Sequence, residues 1–237
     1  MGLTKQVDRM VALKNIDFYV LVATGYPIHG DAFANYLMGF YTVQVVYHDV
    51  WNDGLAALDK NITTYHPVAI ILDDAFPYGV QSVTALVKAK YPQIALIYVD
   101  TNPNIFRVLH CLDQGFLAYL HLADQLSHCL KNVIDATRRR ERFLSPTILG
   151  LYQRYTMYRG VFVNLSDRLQ EVFKMMGEGL TTQQICERTG LRHKAVYRRQ
   201  YRLRQHFGVE NNEELLNIIH IVYEDKTTQP LLRQESG

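Results

Sequence analysis

Two different periodicities divide the chain. In the first half, five short apolar runs, Phe18 to Ala23, Val43 to Tyr47, Val68 to Leu72, Ile94 to Val99 and Leu117 to Leu120, are rich in β-branched and aromatic residues and predict strands. Helical patterns fall between and after them, near residues 29–39, 51–60, 79–90, 104–114 and 122–139. Parallel strands need crossover connections, so this alternation predicts a parallel sheet covered by helices on both faces. The first, third and fourth runs are apolar throughout and belong at the sheet centre. The natural doubly wound order is 2-1-3-4-5, which places any site at the carboxyl ends of the strands.

The second half changes period. Leu165, Leu169, Val172, Phe173 and Met176 recur at helical spacing, with Ser166 and Asp167 as a capping start and Gly177 and Gly179 as a stop. Thr181 and Thr182 can cap a short helix that buries Ile185 and Cys186, and Gly190 then breaks the chain. From Arg192 to His206, Val196, Leu203 and Phe207 share one side, while Lys194, Arg198, Tyr201 and Arg202 point elsewhere. This is a helix-turn-helix pattern with a basic, aromatic outer face. Between Arg188 and His206 there are six arginines and one lysine and no acid, the footprint of phosphate neutralisation and base-edge contact in a major groove. A solvated charged helix face is the plainer alternative.

Leu126, Leu130, Val133 and Ile134 continue the fifth helical pattern of the first half, and Arg138 to Arg142 marks a charged exit from it. That arginine run is either a solvated helix end or a contact with flanking DNA phosphate. Phe143 to Pro146 reads as a break. Ser145 and Pro146 can start another helix through Ile148, Leu149 and Tyr152, and Tyr155 to Val163 reads as a mobile or packed linker. The tail beyond Asp225 has little periodicity and is expected to fray.

Composition narrows the function classes. A chain of 237 residues, 48% apolar, suits two small domains. Its net charge of +2 does not advertise nucleic-acid binding, so the local arginine cluster alone carries that inference. No run of eighteen apolar residues exists and Met1 to Val11 lacks a signal-peptide core, so a soluble, cytoplasmic protein without membrane partners is expected. Cys111, Cys129 and Cys186 lack CxxC or His-rich spacing and read as buried thiols. His29, His48, His66, His110, His121 and His128 show no ligand spacing, and no nucleophile-base pairing is recognisable, so neither a cofactor, a metal nor an enzymatic activity is expected.

Residues 165–222 resemble the C-terminal helix-turn-helix of LuxR/NarL/FixJ-class regulators. Leu165-Ser166 opens the motif, Gly179-Leu180 precedes the scaffold helix, Ile185 is central, and Phe207-Gly208-Val209 closes the recognition helix. The resemblance implies groove contacts from Lys194, Tyr197, Arg198 and Tyr201, and phosphate contacts from Thr182, Arg199, Arg202 and Arg204. It also implies a fourth helix from Asn212 to Val222 whose Leu215, Leu216, Ile219 and Val222 are dimer candidates, with core packing as the alternative for each. Leu169, Ala195 and Arg199 depart from the family's usual glutamate, threonine and histidine, so operator preference does not carry over.

A second resemblance covers roughly residues 16–135. His66 to Asp73, followed by Pro77 and Gly79, is similar to the third strand and phosphoacceptor loop of receiver domains, and Gly115 to Leu120 resembles their approach to the fifth strand. The implied fold is a flavodoxin-like (βα)5 α/β domain, followed by a helical linker and an all-α four-helix domain. Asp73 falls on the phosphoacceptor position. Receiver chemistry also needs an acidic pair, a hydroxyl and a lysine; here Thr24 and Gly25 replace the pair, Asp100, with Thr101 beside it, the hydroxyl, and Leu122 the lysine.

Magnesium dehydrates reluctantly and is held by carboxylates together with phosphate oxygens, so Asp73 alone sustains it poorly. Asp100 is expected to repel a phosphoryl group, with no fixed cation to offset its charge. A close Asp73–Asp100 pair would raise one apparent pKa. Asp74 is expected to face solvent, and rescues a metal only if it turns inward. The chain is thus expected to be an atypical, two-component-like response regulator with a pseudo-receiver. The expected domains are an N-terminal extension (1–15), a receiver-like domain (16–137), a linker (138–160), a LuxR-type helix-turn-helix (161–224) and a tail (225–237). The expected function is homodimeric, phosphorylation-independent, sequence-specific binding of double-stranded DNA to regulate transcription. RNA polymerase is a candidate contact, and the rim of Thr24, Tyr26, Asp73, Asp74, Asp100 and Thr101 could take an unidentified ligand or protein. The alternative is a protein-interaction regulator, an adaptor or anti-regulator, that no longer binds DNA specifically.

Overall fold

The structure is a computed structural model that describes residues 18–40, 43–49, 54–76 and 78–223. The expected N-terminal extension and C-terminal tail lie outside the described residues. The chain separates into two compact units, Met1–Ile148 and Leu149–Gly237.

The first unit alternates strand and helix: β1 (Phe18–Thr24), α1 (Pro27–Met38), β2 (Val43–Asp49), α2 (Gly54–Tyr65), β3 (Ala69–Asp73), α3 (Gly79–Lys90), β4 (Ala95–Asp100), α4 (Ile105–Asp113), β5 (Ala118–His121), α5 (Leu126–Arg138) and β6 (Phe143–Leu144). The strands form one parallel sheet in the order β2-β1-β3-β4-β5-β6. Every residue of β3 and β4 is buried, as expected for central strands covered on both faces. Val20, Val22, Ile71, Ile97 and Leu120 meet Phe33, Leu130, Val133 and Ile134 in the core, and each such side chain contributes roughly 1.5–3 kcal/mol of burial.

The sixth strand corrects the reading of Phe143 to Pro146 as a simple break. Phe143 and Leu144 pair with Ala118 and Tyr119. Two residues are too few to show a period-2 pattern, so this strand exists only through its partner.

The helices of the second part are α6 (Pro146–Val163), α7 (Asp167–Gly177), α8 (Thr182–Thr189), α9 (His193–Phe207) and α10 (Asn212–Val222). α6 runs through the stretch 155–163 that the pattern suggested as linker. Apolar residues lie all around it, from Leu149 and Leu151 to Met157 and Phe162, so no single stripe marks it as a helix. Its far end packs: Phe162 joins Leu165, Val172, Phe173, Ile185, Val196, Leu203 and Phe207 in the second core. Phe173 stacks on Phe207 with ring centroids 5.2 Å apart. A capping box between Thr181 and Gln184 starts α8, and Gly190, at φ 69°, supplies the left-handed turn that separates α8 from α9.

Candidate nucleic-acid interface

The core-facing residues of α9 determine what its other side presents. Val196, Gln200, Leu203 and Phe207 are buried, which turns Lys194, Tyr197, Arg198, Tyr201 and Arg202 outward. Tyr197 and Tyr201 are 58% and 55% exposed, so the outer face of α9 carries two large aromatic rings beside its cations. Arg199 is half-buried. Arg204 is half-buried too, and its Nη1 donates to Asn212 Oδ1 at 2.6 Å while its guanidinium lies 5.7 Å from the centroid of the Tyr201 ring. Thr182, in the first turn of α8, accepts a hydrogen bond at 3.4 Å from Gln200 Nε2.

Gln200 is a residue the sequence reading missed. It is 4% exposed, and its Oε1 is buried without a partner. The signal was available, because spacing from Val196 puts a polar residue on the apolar stripe of α9.

Of the dimer candidates on α10, three follow the core-packing alternative. Leu215, Ile219 and Val222 are buried in the core of their own domain, together with Ile218, and only Leu216 is half-buried. A small helical domain needs the whole apolar stripe of α10 to close its core, which leaves those three side chains no surface to offer a partner. Gly177 shows how closely α10 approaches α7: a Cβ there would sit 2.7 Å from Ile219 Cγ2.

At the carboxyl end of the first unit's sheet, Asp73 is 1% exposed. One of its carboxylate oxygens accepts from the Thr24 hydroxyl and pairs with His29 Nδ1 at 3.1 Å. The other accepts from the backbone amides of Gly25 at 3.3 Å and Ala75 at 3.2 Å. Thr24 and Gly25, which stand where receivers hold an acidic pair, therefore donate to the carboxylate. Gly25 is required sterically, since a Cβ would come within 2.6 Å of the Ala75 carbonyl oxygen. His29, absent from the sequence-derived site, reaches Asp73 from the first turn of α1.

Asp100 departs from expectation. It is fully buried, and its partners are Arg107 Nη1 at 2.8 Å, the Tyr119 hydroxyl and the Asn102 amide at 2.9 Å. A cation does offset its charge, supplied by α4. Partial desolvation works against the Arg107 guanidinium, yet the Asp100 carboxylate, its hydrogen bond and the nearby Tyr119 and Tyr98 together hold the pKa above its ordinary value. Burial pushes the Tyr119 hydroxyl far up, reinforced by its bond to Asp100. Asp73 and Asp100 thus have separate sets of partners and do not form the close pair considered from sequence.

Asp74 does not simply face solvent. It is half-buried and accepts from the amide of Thr101 at 3.1 Å and from the Thr101 hydroxyl, tying the loop after β3 to the loop after β4, while its Oδ1 is buried without a partner. Leu122, at the lysine position, packs against the sheet core. Asp124 accepts from the Ser145 hydroxyl and from the Thr147 amide and hydroxyl at 3.1 and 2.6 Å, which pins the start of α6. Among the described residues, no group of three or more His, Cys, Asp or Glu side chains is placed to hold a metal, and no helix is long and apolar enough to cross a membrane.

No protein-family model and no curated protein matches the sequence. Solved structures do. The chain is similar to the RcsB response regulator of Salmonella typhimurium, at 20% identity over 86% of this chain and 99% of that one, with a TM-score of 0.56. It is also similar to RcsB in a complex with DNA, at 19% identity over 87% and 99% with a TM-score of 0.55. A LuxR-family two-component response regulator from Aurantimonas sp. SI85-9A1 matches at 14% identity over 57% and 95%, with a TM-score of 0.50. The chain therefore has the fold of the response regulators, a receiver-type α/β domain followed by a LuxR-type helix-turn-helix.

Proposed function

We propose that this chain is a sequence-specific DNA-binding transcription regulator, acting as a homodimer and without aspartyl phosphorylation. The observation that carries the reading is the outer face of α9, where Lys194, Arg198 and Arg202 stand exposed beside Tyr197 and Tyr201. Cations at this spacing neutralise phosphates, while aromatic and guanidinium groups meet base edges. Lys194, Tyr197, Arg198 and Tyr201 are assigned to the groove, and Thr182, Arg199 and Arg202 to phosphate. RcsB, which shares the fold, has been captured as dimers bound to DNA. Two protomers of this chain should engage half-sites about one helical turn apart.

Independence from phosphorylation is supported by the carboxylate of Asp73, which is buried and already accepts from Thr24, Gly25, His29 and Ala75. An attacking carboxylate oxygen would have to give up these donors, and among the described residues Thr24 and Gly25 stand at the end of β1, where an acidic pair would be needed to hold magnesium. With the receiver inert, control would come from abundance, from a partner such as RNA polymerase, or from a ligand at the altered rim.

Selection of bound genomic fragments by unphosphorylated protein tests the proposal. Enrichment of a two-fold symmetric site, with affinity falling steeply as salt rises, is the expected result. Absence of any salt-dependent duplex binding would instead leave an interaction module. Incubation with a small phosphodonor and magnesium should produce no mass gain at Asp73.

A further inference from the structure

We infer that Arg204 is a positioning residue that fixes the Tyr201 ring for base reading and makes no contact with phosphate. This rests on the DNA-reading function proposed above and reassigns a residue that the family resemblance placed on phosphate. Arg204 differs from the other basic residues of α9 in where its charge goes. Arg198 and Arg202 are exposed, whereas Arg204 is half-buried, with Nη1 donating to Asn212 Oδ1 at 2.6 Å. Asn212 opens α10, and the residues around it are themselves held: Asn211 Oδ1 accepts from the Glu214 amide at 2.9 Å, and Glu214 accepts from Asn211 Nδ2 at 2.8 Å and from the Glu210 amide at 3.0 Å. The guanidinium is thus fastened to a rigid corner.

From that corner it reaches Tyr201, one turn earlier on α9. The 5.7 Å separation between Arg204 Cζ and the ring centroid lies within the range of a cation–π contact. Tyr201 is more than half exposed, and its hydroxyl makes no hydrogen bond among the described residues, so Arg204 is what restrains the ring. One side of the ring is covered by the guanidinium; the hydroxyl and the remaining surface stay free for a base pair. A side chain held before binding loses less freedom when it docks, and that preorganisation sharpens discrimination at the base pair it meets. While its 2.6 Å bond to Asn212 stands, Nη1 is not available to a phosphate, and the half-buried guanidinium is less open to one than the exposed Arg198 and Arg202.

The test compares Tyr201→Ala, Arg204→Ala, Asn212→Ala and the Tyr201→Ala/Arg204→Ala double variant in the full chain, with Arg202→Ala as the phosphate control. Base preference is read by selection from randomised duplexes, and phosphate contact by the slope of log affinity against log salt concentration. Arg204→Ala should relax preference at the same base pair as Tyr201→Ala, by about threefold to tenfold, with the salt slope unchanged. The double variant should discriminate no worse than Tyr201→Ala alone. Asn212→Ala keeps every charge and should still relax that base pair, which decides the matter if Arg204→Ala fails to fold. Arg202→Ala should lower the slope by about one with preference intact. A slope loss of about one in Arg204→Ala with unchanged preference would overturn the inference, as would unchanged preference in Asn212→Ala where Tyr201→Ala alters it. If the wild-type chain shows no salt-dependent duplex binding, the DNA-reading function fails first and this assignment with it.

Discussion

At the scale of single residues, the cost of a substitution is set by how many partners it strands. Asp73→Ala would leave the Thr24 hydroxyl, His29 and the amides of Gly25 and Ala75 without their acceptor, and the unfolding free energy in denaturant should fall by about 2–4 kcal/mol. Gly25→Ala meets the Ala75 carbonyl oxygen at 2.6 Å and should cost about 1–3 kcal/mol in the same measurement. The opposite sign is expected for Gln200→Leu, which removes a buried, unpartnered Oε1: a gain of about 1 kcal/mol, together with weaker DNA binding as Thr182 loses its neighbour. Asp73, Thr24, Gly25 and Asp100 were legible through the resemblance to receiver domains, helped by their place at or just beyond the carboxyl ends of recognisable strands. His29, Arg107 and the Arg204–Asn212 bond were not, because each partner comes from a different element and no local spacing records the pairing.

At the scale of elements, legibility followed periodicity. β1 to β5, α7, α8 and α9 carried clear patterns and formed much as expected; β6 was too short to have a period and α6 was apolar on too many sides. α10 had the right stripe, but a stripe does not say whether it faces a core or a partner, and Leu215, Ile219 and Val222 face the core. The junction at the start of α6 has a pH signature. Partial burial works against the charge of Asp124, but the Ser145 hydroxyl and the Thr147 hydroxyl and amide prevail and hold its pKa below the ordinary 3.8. A carboxylate with a lowered folded-state pKa contributes stability that is fully present above its unfolded value and fades as pH falls through the folded one. The difference in melting temperature between wild type and Asp124→Ala should therefore hold constant from neutral pH to about pH 5 and shrink below about pH 4. A difference that does not change with pH would contradict this role.

At the scale of the molecule, two units carry two separate hydrophobic cores, and two-state unfolding is not expected of such a chain. Calorimetry should resolve two transitions, with Phe173→Ala lowering one by roughly 12–40 °C, the shift that a loss of about 3–5 kcal/mol produces in a unit of this size, and leaving the other in place. The near-neutral overall charge conceals a local concentration of cations on one helix, α9. The Asp100 network has a last consequence, for which substitutions the site accepts. Asp100→Ser would take the carboxylate from Arg107 and the acceptor from the buried Tyr119 hydroxyl at once. Pairing it with Tyr119→Phe, which removes the stranded hydroxyl, should restore part of the lost stability, so these side chains are exchanged as a unit and not singly.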